Sequence, residues 1–90
     1  MVKWAIKYSK RMLSDSLKLK QAGLKEKTQR LLDILAQNPY ATPPYFEKLM
    51  GFENVYSRRI NIKHRLVYQV FKDKMTVKIL SLWGHYDDNG

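Results

Sequence analysis

The residues best suited to chemistry crowd into two places along the chain. Between Tyr56 and Arg65 stand Arg58, Arg59, Lys63, His64 and Arg65, with the rings of Tyr56 and Tyr68 at either side. Cations hold phosphates and exposed rings take unstacked bases, so this stretch suits single-stranded RNA. It equally suits an ordinary sheet with surface arginines. Near the end the chain reads Trp83-Gly84-His85-Tyr86, then Asp87-Asp88. The spacing of His64, His85 and these aspartates matches no metal motif, and neither a metal nor a cofactor is expected. With no cysteine, no Gly-rich phosphate loop and no sign of a serine triad, the available tools are Glu, Arg, His and Tyr. Those four suit one reaction well, the cleavage of RNA by its own 2′-hydroxyl. That reaction needs a base for the hydroxyl, cations for the charge building on phosphorus, and an acid for the departing 5′-oxygen.

Composition narrows the setting for such chemistry. Ninety residues make one domain with one core, and a hydrophobic content of 44% argues for a globular fold. The absence of cysteine excludes disulfide scaffolds and thiol catalysis. No apolar run approaches the roughly 20 residues of a membrane span, and Met1-Val2-Lys3-Trp4 begins no signal-type apolar stretch. A cytoplasmic protein without a membrane partner is therefore expected. Seventeen Lys and Arg against eight Asp and Glu leave a net charge of +9, which points to a polyanionic partner. The excess is uneven. Residues 1–30 hold nine basic side chains and two acids, whereas residues 31–90 hold eight and six.

The elements that must position these groups follow from periodicity and punctuation. Val2–Tyr8 alternates apolar and polar residues and reads as a half-buried strand. Ser9 offers an N-cap for a helix to about Ala22, with Met12, Leu13, Leu17 and Leu19 on its apolar side, and Gly23 fits the turn that ends it. A second helix spans Leu24–Gln37, with Leu24, Leu31, Leu32, Ile34 and Leu35 buried, and Asn38-Pro39 stops it. The short link makes the two an αα-hairpin. After a loop rich in Pro and Gly, with a short strand around Phe46–Met50, come strands at Val55–Asn61, His64–Lys72 and Met75–Trp83. Lys72-Asp73-Lys74 is short enough to make the last two antiparallel neighbours. The expected fold is a two-layer α+β domain over residues 1–90: an N-terminal strand, the helix hairpin, then an antiparallel meander, giving a curled sheet of four to five strands.

Such an architecture leaves one sheet face open. Alternation sends His64, Leu66, Tyr68 and Val70 one way and Arg65, Val67, Gln69 and Phe71 the other. In the preceding strand Ser57, Arg59 and Asn61 oppose Tyr56, Arg58 and Ile60. An unpaired mid-strand arginine is costly to bury, so at least one of Arg58, Arg59 and Arg65 should line a wet concavity. His64 falls on the face opposite Arg65, which suits a packed or rim residue better than a catalyst.

The run from Tyr56 through Ser57-Arg58-Arg59-Ile60-Asn61-Ile62-Lys63-His64-Arg65-Leu66-Val67 to Tyr68 resembles the central signature of YoeB/Txe-type toxins in the RelE superfamily. Pro43-Pro44-Tyr45-Phe46-Glu47-Lys48-Leu49 and Trp83-Gly84-His85-Tyr86 resemble that family's other two landmarks. The resemblance implies a ribosome-dependent mRNA endonuclease, metal-independent, cleaving at the A site and silenced by a YefM/Axe-like antitoxin. By position it assigns Glu47 as general base, Arg65 as stabiliser of the phosphate and transition state, and His85 as general acid. Arg59, Tyr86, Lys48 and Arg58 would support RNA binding. Free, such a toxin would be a monomer or dimer.

Three departures bear on these assignments, the first being Lys63, which stands where some members have an acid and alters the charge near Arg65. The segment between Glu47 and Ser57 is one residue shorter than in much of the family, with Phe52-Glu53-Asn54 in place of a Leu-Ser-Gly turn. A one-residue change within a strand flips every side chain, so the loop must absorb it if Glu47 is to face the site. The chain also continues past Tyr86, where many members stop. Two other readings use the same charge: a non-catalytic RNA- or ribosome-binding module, and an interaction domain for an acidic peptide.

Overall fold

The computed structural model describes residues 3–43 and 45–82, with the side chain of Leu13 left out. Expectations for Leu13 as a core residue, Trp83 as a strand end, and His85, Tyr86 and the aspartates beyond them lie outside what is described. In chain order the elements are β1 (Ala5–Tyr8), α1 (Arg11–Gln21), α2 (Lys25–Gln37), β2 (Phe46–Lys48), β3 (Val55–Arg59), β4 (Arg65–Phe71), a 3₁₀ turn (Lys72–Lys74) and β5 (Thr76–Ser81). The strands form one sheet in the order β1-β5-β4-β3-β2. β2 to β5 run as an antiparallel meander, and β1 closes the sheet by pairing parallel to β5. This is the expected α+β architecture with five strands.

Each helix boundary has a local cause. Gly23, with φ of +76°, ends α1 in the left-handed turn its missing Cβ allows. Its N–H donates to the Lys20 carbonyl at 3.1 Å and the Leu24 N–H to that of Leu19 at 2.9 Å, the paired bonds of a Schellman turn. Ser9 does not cap α1 as expected. Its hydroxyl donates to the Leu80 carbonyl at 3.0 Å, tying the helix entry to β5, and Lys10 takes the N-cap position with no side-chain hydrogen bond. At the end of α2, the Asn38 N–H donates to the Ile34 carbonyl and its side chain accepts from the Tyr40 N–H.

The core lies between the helices and one sheet face. Met12, Leu19, Leu31, Leu32 and Leu35 pack against Ile60, Leu66, Tyr68, Val70, Val77, Ile79 and Leu82. Each aliphatic side chain removed from water there is worth about 2 kcal/mol. Two helix expectations are corrected. Leu17 is 63% exposed, and the third buried position of α1 is Asp15. Its carboxylate accepts the Leu82 N–H at 3.0 Å and pairs with Arg11 Nε at 3.4 Å, so a charged residue serves as a strap between α1 and the end of β5. In α2, Thr28 joins the buried side and Ile34 is only half-buried.

A bulge changes the parity of β5. Val67 pairs with Ser81 while Tyr68 pairs with Ile79, which leaves Leu80 as the extra residue. Leu82 therefore enters the core three positions after Ile79, where simple alternation would send it outward. The second sheet face is also less open than expected, because Ser57, Val67 and Ser81 are all buried on it.

Candidate active site

Strand pairing builds the site out of residues distant in sequence. β2 and β3 pair with Glu47 opposite Ser57, and β3 and β4 pair with Arg59 opposite Arg65. The connection between β2 and β3 turns through two left-handed positions, Gly51 at φ +85° and Asn54 at φ +58°. It closes with the Leu49 N–H donating to the Val55 carbonyl at 2.9 Å. Glu47 consequently faces the side of the sheet away from the helices, where Arg65 also points.

Tyr45, Glu47, Ser57, Arg59 and Arg65 line a concavity of about 260 Å³. Arg65 Nη1 donates to Glu47 Oε1 at 3.1 Å and to Ser57 Oγ at 3.4 Å. The Arg65 side chain is 19% exposed and that of Glu47 47%, so the ion pair stands at the mouth of the concavity and within reach of solvent. With Arg59 beside it, the cup holds two guanidiniums and one carboxylate. A phosphate entering this cup meets both guanidiniums and competes with Glu47 for Arg65, and a carboxylate released in that way is free to accept a proton.

A family model described as a YoeB-like toxin of a bacterial type II toxin–antitoxin system matches residues 8–86. The chain belongs to the YoeB-like toxins. Among solved structures, a YoeB/ParE toxin from Agrobacterium tumefaciens is similar with a TM-score of 0.81 and 25% identity, covering 91% of this chain and 99% of that one. A YoeB dimer from Staphylococcus aureus is similar with a TM-score of 0.78 and 32% identity, covering 92% and 98%. The YoeB–YefM complex of the same organism has the same identity and coverage with a TM-score of 0.75. No curated protein matches the chain in a sequence comparison. Among the described residues of this YoeB-like toxin, no helix is long and apolar enough to cross a membrane.

The structure sorts the residues singled out in the sequence of this YoeB-like toxin. Glu47, Arg59 and Arg65 come together. Lys48 is exposed, but its register position, opposite Tyr56, puts it on the other face of β2 from Glu47. Arg58 is a correction: it is fully buried on the helix-facing side, and the expectation that it binds RNA does not fit that position. Its Nε donates to the Tyr68 hydroxyl at 3.1 Å, its Nη2 to the Pro39 carbonyl at 3.0 Å, and its guanidinium lies over the Phe46 ring at 4.8 Å. Tyr68 is a core residue, as its alternation with Leu66 and Val70 suits, and the half-buried Tyr56 packs with Tyr40, Phe46 and Tyr68 in one aromatic cluster on the helix-facing side. Burial raises the Tyr68 phenol above its ordinary value of 10.0, against the opposing pull of Arg58. Burial also raises the Tyr40 phenol, with Tyr56 adding to the shift.

Two lining residues were missed. Tyr45, 74% exposed, is two positions from Glu47, and Ser57 is two positions from Arg59, so strand parity carried the signal for both. His85 and Tyr86 lie outside the described residues. Ser81 does pair with Val67, which brings the end of β5 beside the start of β4 and Arg65. Among the described residues no cluster of three His, Asp or Glu is placed to hold a metal.

Proposed function

We propose that this toxin is a ribosome-dependent mRNA endonuclease in which Glu47 is the general base and Arg65 the phosphate and transition-state stabiliser. The observation that carries the reading is the Glu47–Arg65 contact at 3.1 Å inside a concavity that Arg59 also lines. The 2′-oxygen of one nucleotide attacks the adjacent phosphorus as Glu47 takes its proton. The bond from phosphorus to the 5′-oxygen breaks, a 2′,3′-cyclic phosphate remains, and the leaving oxygen takes a proton from the general acid, the role assigned to His85. Arg65 and Arg59 stabilise the charge that accumulates on the phosphoryl oxygens. Tyr86 would position the RNA. Holding the mRNA in line for attack falls to the ribosome, since the shallow cup has few groups of its own to do so. A YefM-like antitoxin silences the toxin by covering it.

Primer extension on translated mRNA tests the mechanism. Wild type is expected to cleave, Glu47→Ala and His85→Ala to fall by about 10²–10⁴, and Arg65→Ala by about 10²–10³. Equal cleavage by all four proteins would refute the assignment. Ribosome binding that leaves mRNA intact would leave a non-catalytic binding module in its place.

A further inference from the structure

We propose that the sheet face carrying Glu47 and Arg65 holds a second polyanion site at its other end, where Lys7, Lys74 and Lys78 grip the phosphodiester backbone of RNA. The inference rests on reading the chain as an RNA-directed toxin.

The three lysines come from β1, the 3₁₀ turn and β5, and with Phe71 and Thr76 they line a concavity of about 270 Å³. Lys7 and Lys78 are register partners across the parallel β1–β5 ladder, and Gln69 of β4 stands opposite Lys78. All three lysines are exposed. The ion pairs among the described residues, Arg11–Asp15 and Glu47–Arg65, involve none of them, and no acid lines the concavity. Like charges set directly opposite on neighbouring strands repel, so the arrangement is locally unfavourable until an anion fills it. Protecting a sheet edge with lysine accounts for Lys7 on the edge strand β1. It does not account for Lys78, because β5 is an inner strand.

Position favours a polynucleotide over a lone small anion. Arg65 and Gln69 are four residues apart on β4, so Arg65 and Lys78 are separated by about 14 Å along the same face. One strand of RNA backbone laid over that face reaches both cups. The half-buried ring of Phe71 in the floor adds a surface on which a base or ribose can rest.

The test measures affinity as a function of salt for the full chain. Wild type, the triple variant Lys7→Gln/Lys74→Gln/Lys78→Gln, and a charge-matched control, Lys18→Gln/Lys20→Gln/Lys27→Gln on the helices, are titrated against purified ribosomes and against a labelled single-stranded oligoribonucleotide. Circular dichroism checks that each is folded. The cradle variant is expected to lower the slope of log K against log salt by about 2, the value for three lost phosphate contacts on a single strand, while the control lowers it less. Loss on ribosomes alone assigns the cradle to ribosomal RNA, and loss on the oligonucleotide assigns it to the message. Unchanged slopes, or equal losses in cradle variant and control, overturn the proposal. Primer extension on the same wild-type sample separates this result from the endonuclease reading. Cleavage alongside unchanged slopes overturns the cradle alone, and cradle-dependent binding without cleavage overturns the endonuclease reading alone.

Discussion

The Arg58 guanidinium lies 3.1 Å from the Tyr68 hydroxyl and 3.0 Å from the Pro39 carbonyl, and the Tyr68 hydroxyl donates to that same carbonyl at 3.1 Å. Three elements meet there: β3, β4 and the chain leaving α2. A cation this deep is stable only while its donors are matched, and removing it takes one partner from each of two buried oxygens and opens a cavity. Arg58→Ala is expected to lower stability by about 3 kcal/mol, read as a fall in the urea midpoint with little change in slope. The same network sets an alkaline limit. Tyr68 has its phenol pKa raised by burial, so the folded state favours the neutral form. Its contribution is complete below pH 10.0, the ordinary phenol value, and is lost as pH rises through the higher folded value. Urea midpoints measured on both sides of that pH should fall on the alkaline side in wild type and fall less steeply in Tyr68→Phe. Parallel pH profiles for the two proteins would rule out this origin.

At the scale of elements, the ends of α1 and β5 are fastened to each other. Asp15 accepts the N–H of Leu82, Ser9 donates to the carbonyl of Leu80, and the bulge at Leu80 turns Leu82 into the core. Two hydrogen bonds and the bulge thus fix the end of β5 against α1. Asp15→Ala leaves the buried Leu82 N–H without its acceptor and is expected to cost about 1–3 kcal/mol. Asp15→Asn keeps an oxygen at that position and should lose less. The difference between their urea midpoints measures the strap, and equal losses would mean that the Arg11–Asp15 pair matters more than the N–H bond.

For the whole molecule the dominant quantity is charge. Residues 1–30 carry nine basic side chains against two acids, and the two concavities on the far sheet face gather five cationic side chains, Arg59, Arg65, Lys7, Lys74 and Lys78. A partner that covers such a surface must be acidic, which fits a YefM-like antitoxin as the proposed silencer. An antitoxin binding only the folded toxin at a hundred times its Kd stabilises it by about 2.7 kcal/mol. Thermal unfolding of the mixture should therefore shift upward, and the shift should shrink as salt screens the contact. No shift at saturating antitoxin would refute the pairing.

Periodicity and punctuation were enough to read the α+β class, the helix hairpin, the meander and the parity of β3 and β4. Those signals are local, because alternation and Gly or Pro breaks act within a few residues. Glu47, Arg59 and Arg65 were legible as well, through the family resemblance and the shared parity of Arg59 with Ser57. Tyr45, two positions from Glu47, lay within the same reach of strand parity. Other features were not legible. Arg58 and Arg59 are adjacent and chemically identical, yet one is buried against Tyr68 and Phe46 and the other lines the site. Which arginine a core accepts depends on the acceptors that a distant carbonyl and hydroxyl bring to it, here from Pro39 and Tyr68. The Asp15 strap and the Lys7–Lys78 juxtaposition have the same origin, since each requires the pairing of β1 or α1 with β5 across some seventy residues, and the Leu80 bulge arises in the pairing of β4 with β5. The sequence by itself determined which elements form and which way most of their faces turn. Only the tertiary structure decided which charges are buried and which are left exposed, because desolvation and pairing are settled by neighbours far away in the chain.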